Sequence, residues 1–208
     1  MVRRTKEDAE KTREMLIDAA EVVFDRKGVA AASLEEIARS AGVTRGAIYW
    51  HFANKQDLFE AMHERVKLPL DTRFEQALRD DDPLGALKEL CIFVLQNLAR
   101  DARMRRVFAI VQFKCEQVDQ NQRIVERMQQ RRHEVMQKFI RVFTLAKEQG
   151  RMDAGRCPEM SALALHAFIC GLVTDYLSGE CRYDIEVMAQ PLVDMMFSGI
   201  TMQAQQPA

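Results

Sequence analysis

At 208 residues and 48% hydrophobic composition, the chain has enough apolar mass for one large or two small buried cores. Its formal net charge of −1 excludes a global positive field, so any attraction to nucleic acid must be local. Five scattered cysteines without metal-ligand spacing argue against a disulfide framework and for reduced thiols in a cytosol, and the N-terminus lacks the apolar segment of a signal peptide.

Gly and Pro are few, and no stretch alternates with period two, so the chain reads as all-α with about nine helices. Arg3, Arg4, Lys6, Lys11 and Arg13 face Glu7, Asp8 and Glu10 in a weakly basic opening stretch. Helix one is expected from about Glu7 to Lys27, with Leu16, Ala20, Val23 and Phe24 inward and Gly28 ending it. Ser33 and Glu36 form a capping box that starts helix two at Leu34, and Leu34, Ile37 and Ala38 give it an apolar face. Gly42 ends it in the left-handed conformation. Thr44 caps helix three, which carries Arg45 through His51, and Asn54 caps helix four from Lys55.

A helix, a glycine turn and a second short helix make a helix-turn-helix unit. Residues near the start of its second helix reach base edges in the major groove. Arg45 suits guanine O6 and N7, and Gly46 allows close approach. The hydroxyls of Thr44 and Tyr49 suit phosphates, and Lys55 places an ammonium at a helix start where an anion is also welcome. Ser33, Trp50, His51 and the arm residues Arg3, Arg4 and Lys6 complete the expected DNA contacts.

Helix four carries Leu58, Met62 and Val66 on one face, and Pro69 predicts a kink or restart. Asp82-Pro83 starts helix five. Helix six is expected over Ala102 to Glu116, with Gln112 the one polar group of an apolar run and therefore a buried amide needing a partner. Helix seven runs from Asp119 to Gly150, roughly 45 Å. Helix eight follows Pro158 to about Ser178, and helix nine spans Ile185 to Met202, with a loose tail from Thr201. The longest apolar stretch, Ala162 to Val173, is interrupted by His166 and is shorter than a bilayer span. Helix eight is apolar almost all round, so it is buried on more than one side. A two-fold dimer is the economical answer, with Leu165, Phe168, Leu172 and Tyr176 of helix eight and Leu192, Met195 and Met196 of helix nine at the interface.

LEEIARSAGVTRGAIYWHFANK resembles the signature of TetR-type transcriptional repressors, and the opening VRRTKEDAEKTREMLIDAAEVVFDRKGV is similar to that family's first helix. The likeness is closest to the branch that controls multidrug efflux pumps, and Lys114-Cys115-Glu116 echoes that branch. The resemblance implies a DNA-binding domain at 1–54 and a ligand-binding and dimerisation domain at 55–208. It also implies a cytoplasmic homodimer on a palindromic operator, a four-helix dimer interface, and release by an apolar or amphipathic small molecule. In the family, helices five to eight enclose the ligand; taken with helix four facing that pocket, this gives Met62, His63, Val66, Phe108, Val111, Gln112, Cys115, Phe139 and Phe168 as expected ligand contacts. A regulator of the same fold answering to a protein partner is the alternative.

His166 and Cys170, four apart, have the spacing of two metal ligands, but no carboxylate or second pair lies nearby, so a core or interface role is expected and no metal. Cys115 beside Lys114 invites a redox reading, against which stands an ordinary buried thiol. HEVMQ at His133 is not a zinc-protease motif, and no catalytic constellation or phosphate loop is present. Neither an enzyme nor a cofactor is expected.

Overall fold

A computed structural model describes residues 6–115, 122–179 and 182–201. It is helical throughout, with no strand among those residues. The helices are α1 (Lys6–Lys27), α2 (Leu34–Ser40), α3 (Arg45–His51), α4 (Lys55–Ala77), α5 (Pro83–Arg100), α6 (Ala102–Ala109), α7 (Gln122–Glu148), α8 (Pro158–Ser178) and α9 (Ile185–Thr201). A π-helical turn, Ile110–Lys114, extends α6. Arg3 and Arg4, the expected start of helix seven at Asp119 and the tail beyond Thr201 lie outside the described residues.

Two compact units share the chain. The first takes the chain up to Leu68 and from Arg106 to Met128; the second takes Pro69 to Arg105 and the chain from Gln129. The first unit's core is built from the faces that periodicity marks. Leu16, Ala20, Val23 and Phe24 of α1 meet Ile37 and Ala38 of α2, Ile48 of α3, and Leu58, Phe59 and Met62 of α4. Val107 and Ile110 enter from the other stretch of the same unit. Each fully buried Leu, Ile or Phe contributes about 1.5–3 kcal/mol of apolar transfer.

In the second unit, α5 packs most extensively on α9 and also touches α8. Two ion pairs run along the α5–α9 seam, Lys88–Asp194 at 2.6 Å and Arg100–Glu186 at 2.9 Å. Phe74 stacks on Phe139 with ring centres 5.8 Å apart, and Lys138 pairs with Asp71 at 2.6 Å beside them.

Three expectations change. Helix four does not restart at Pro69: α4 runs unbroken to Ala77. The proline removes one hydrogen bond, and buried Phe74 and Ala77 anchor the helix beyond it. Helix six is not α-helical to its end, because its last turn widens into the π form. Helix eight is not too short for a bilayer: with only Glu159 and Asp175 as charged residues, the 21-residue Pro158–Ser178 helix is long and apolar enough to cross a membrane by length and composition. In this fold Ser161, Ala162, Leu165 and Val173 of that helix are buried, so only part of its girth is covered.

Candidate nucleic-acid interface

Local chemistry sets the reading head. Ser33 Oγ accepts from the Glu36 amide at 3.2 Å, and Thr44 Oγ1 accepts from the Ala47 amide at 3.2 Å, so α2 and α3 each begin at a hydroxyl cap. Between them Gly42 sits at φ +68°. Its amide bonds the Arg39 carbonyl and the Val43 amide bonds the Ala38 carbonyl, the paired 5→2 and 6→1 bonds of a Schellman motif. Only Gly or Asn takes that φ without strain, so the turn angle between α2 and α3 is fixed by residue 42. Asn54 Oδ1 caps α4 through the Asp57 amide at 2.9 Å, and Asp57 returns a bond to the Ala53 amide.

The capping box at Ser33 is only half formed. Glu36 does not reach back to Ser33; its Oε1 pairs with Arg26 at 2.9 Å and Lys27 at 2.7 Å, bolting α2 to the end of α1. Lys27, chiefly through its hydrogen bond, holds the Glu36 carboxyl below the usual carboxylate range.

On α3, Ile48 is buried and the other large side chains face out. Trp50 is 73% exposed and Tyr49 45% exposed, and Arg45 projects into solvent. His51 is half-buried with its ring edge-on to Trp50 at 4.6 Å. Among the described residues a Cβ on Gly46 would meet nothing within 4 Å, so no contact among them requires glycine there. Ser33 and Thr44 are exposed at the two helix starts, and Lys6 is exposed on the first turn of α1.

Lys55 is engaged elsewhere. Its ammonium donates to the carbonyls of Ala30 at 2.8 Å and Ala32 at 3.0 Å, and partial burial pushes its pKa down. These two bonds hold the loop that leads into α2. The same loop is gripped a second time, by the Val29 amide bonding the Lys114 carbonyl at 2.9 Å. Sequence reasoning also missed Glu35, whose Oε1 lies 3.2 Å from both the Arg45 guanidinium and the Tyr49 hydroxyl. Its place in a helix's first turn signalled only a favourable dipole.

The expected ligand contacts fall in both units. Met62 is fully buried in the first unit's core, with Val66, Val111 and Cys115 packed against it. His63 and Phe108 are half-buried, and the His63 ring Nδ1 is buried without a hydrogen-bond partner. Gln112 is not a buried amide: it and Phe113 are exposed. The π turn carries one extra residue, which turns the following side chains off the α-helical face. Burial pushes the Cys115 thiol pKa up, opposite to what a reactive thiolate needs. In the second unit Phe139 is buried between Phe74 and His166. Burial, and then Arg132, push the His166 pKa down, and its ring lies 3.6 Å from Cys170 Sγ.

The dimer expectation also changes at one residue. Leu165 is 0% exposed and belongs to its own unit's core. Phe168, Leu192, Met195 and Met196 instead line an open apolar groove of about 580 Å³ on α8 and α9, shared with Met160 and Ala164. Met160 (71% exposed), Leu163 and Val187 are also exposed apolar residues of α8 and α9. Leu172 and Tyr176 are half-buried.

The profile described as "Bacterial regulatory proteins, tetR family" matches residues 16–62, and "MAATS-type transcriptional repressor, C-terminal region" matches 82–202. The chain is 34% identical over 208 residues to the HTH-type transcriptional repressor BepR of Brucella suis biovar 1, covering 99% of this chain and 100% of that protein. It is 37% identical over 205 residues to the HTH-type transcriptional regulator TtgR of Pseudomonas putida, covering 94% and 96%. Among solved structures, NalD, the secondary repressor of the MexAB-OprM multidrug efflux pump in Pseudomonas aeruginosa, superposes with TM-score 0.85 at 38% identity over 94% of this chain and 98% of that one. A SmeT–triclosan complex superposes with TM-score 0.84 at 29% identity, covering 95% and 99%.

Proposed function

The chain belongs to the TetR family of bacterial regulatory proteins, and from that premise we propose that it represses a multidrug efflux operon and leaves its operator when a small apolar or amphipathic molecule binds. The observation that carries the DNA reading is α3 itself. It is a seven-residue helix that buries one isoleucine and holds an indole, a phenol and a guanidinium out to solvent. A groove of DNA would cover Trp50 at that exposure.

The working division is a reading head at 1–54 and a ligand-binding and dimerisation domain at 55–208. The protein acts in the cytoplasm as a homodimer on a palindrome, with half-sites about 34–36 Å apart. The exposed α8–α9 groove supports the second copy as its occupant. Within the inducer site His63 has the best-supported role, since its buried Nδ1 lacks a partner that a ligand hydrogen bond would supply. Release needs an inducer that binds the DNA-free arrangement more tightly than the DNA-bound one. The signal has a short path: Lys55 is the first residue of α4, and both Lys55 and the Lys114 carbonyl hold the 29–32 loop that starts the reading head. A shift of either helix end therefore pulls on α2 directly.

The test is binding of the purified protein to DNA from just upstream of its own gene, with scrambled DNA as competitor and a panel of dyes and antibiotics added. Specific binding abolished by one compound is the expected result. Arg45→Ala is expected to weaken binding and relax sequence preference, and Tyr49→Phe to weaken binding to all sequences alike. Absence of any sequence preference at low salt refutes the reading.

A further inference from the structure

Glu35 is an acid on the surface that faces DNA in the proposed reading. It lies on the first turn of α2, yet its contacts run to α3. One oxygen, Oε1, takes both the Arg45 Nη2 at 3.2 Å and the Tyr49 hydroxyl at 3.2 Å. The Arg45 guanidinium also lies over the Tyr49 ring, 5.7 Å from its centre. The three side chains close a triangle on the exposed surface of the reading head. Helix-dipole stabilisation would place an acid on this turn but does not require it to bind both reading side chains.

We propose that Glu35 is a specificity-determining positioning residue, a carboxylate that holds Arg45 in reserve so that it is released only where DNA offers it a guanine. The proposal rests on the operator-binding reading above.

The chemistry is an exchange. Free of DNA, Arg45 already has an anionic partner. A backbone phosphate offers a similar single anionic contact, present at every sequence. Exchanging Glu35 for a phosphate therefore gains Arg45 little, and the abandoned carboxylate is left facing the phosphate row, where like charges repel. A guanine edge offers two parallel hydrogen bonds to the guanidinium fork, which a lone phosphate contact does not match. Glu35 thus subtracts from binding at every sequence, and only a correctly placed guanine restores the difference. The carboxylate keeps its charge near neutrality: its own backbone hydrogen bond, with the Tyr49 hydroxyl and Arg45 assisting against some desolvation, holds its pKa below the usual carboxylate range. Specificity here is built partly by penalising the wrong partner.

The experiment measures full-length protein on upstream and scrambled DNA across a salt series, for the unsubstituted chain, Glu35→Gln, Arg45→Ala and the pair. Glu35→Gln removes the charge and keeps an oxygen for Tyr49; a melting curve confirms that it folds. Its scrambled-DNA affinity is expected to rise about fivefold and its upstream-DNA affinity by less than about twofold. The specificity ratio then falls by about threefold, and the slope of log affinity against log salt steepens by roughly 0.9. In the Arg45→Ala background the same change is expected to leave the ratio where Arg45→Ala put it. A structural acid would not produce that dependence on Arg45. An unchanged ratio in Glu35→Gln, with the unsubstituted protein still preferring its upstream DNA, overturns the role of Glu35 alone. An equal change with and without Arg45 overturns it too. No preference in the unsubstituted protein overturns both this proposal and the operator-binding reading.

Discussion

Arg65 is the residue whose removal tests the first unit most sharply. Its guanidinium, 13% exposed, bonds the Glu14 carboxylate, the Glu14 carbonyl at 2.9 Å, Asp18 at 2.6 Å and Glu21 at 3.3 Å. Glu14 and Asp18 are largely solvated, so each pair contributes at most about 0.5 kcal/mol. Glu21 is different, with a side chain only 2% exposed and Arg106, 3.5 Å away, as its other cationic partner. Breaking a buried pair costs about 3–5 kcal/mol, and the surviving Arg106 holds this case to the lower end. Arg65→Met is therefore expected to cost about 3–4 kcal/mol. At about 2–4 °C per kcal/mol for a chain of this size, the melting temperature drops by about 6–16 °C. Denaturant titration and calorimetry measure this at one fixed protein concentration, because the proposed dimer would make both concentration-dependent. The loss is expected to persist in about 1 M salt, since screening reaches buried pairs poorly. Glu21→Met in the same background is expected to recover most of it, as the stranded carboxylate disappears. A cost under about 1 kcal/mol for Arg65→Met would refute the reasoning and make the network an ordinary surface cluster.

Three further outcomes follow from the geometry. Lys55→Met removes two bonds from a charged donor and is expected to cost about 1–2 kcal/mol in denaturant unfolding, with inducer response weakened in the same variant. Cys91 is buried and its thiol pKa is pushed up to about 12, so iodoacetamide at pH 8 is expected to leave it unmodified until the protein unfolds; rapid labelling in the native state would contradict its burial. The folded-state pKa of His166 lies below its unfolded value near 6.5, so the unfolded chain binds the extra proton as pH falls. That contribution to stability is complete above the unfolded value and is lost as pH drops towards the folded one. Between pH 7.5 and 5.5 the melting temperature of the unsubstituted protein is expected to fall further than that of His166→Gln, and parallel curves would exclude His166 as the cause.

What could be read from the sequence was local. The caps at Ser33, Thr44 and Asn54 and the turn at Gly42 each involve residues within five positions, and all formed. What failed depended on partners far along the chain. Glu36 turned to Arg26 and Lys27, and Lys55 turned to carbonyls 23 and 25 residues upstream, so neither could be assigned from its own helix. Gln112 was misjudged because periodicity assumes 3.6 residues per turn, and the π turn breaks that count. Leu165 was misassigned because a helix apolar all round does not say which side is its own core. Glu35 left no signal beyond its charge, since its importance arises only when α3 crosses beside it.

The division of the chain at Leu68 and Arg106 bears on how the protein is made. The reading head's unit is not an N-terminal segment: residues 106–128 belong to it and include buried Val107, Ile110 and Ile124. A ribosome that has finished Leu68 must therefore add roughly 60 residues before that unit is complete, on the order of 3–12 s at about 5–20 residues per second. During that interval α1 exposes apolar surface meant for the π turn, and the core that Val107, Ile110 and Ile124 complete stays open. Truncation just after α4 would release a fragment lacking part of its own core, so a minimal DNA-binding piece of this protein has to be designed by joining two stretches rather than by cutting one.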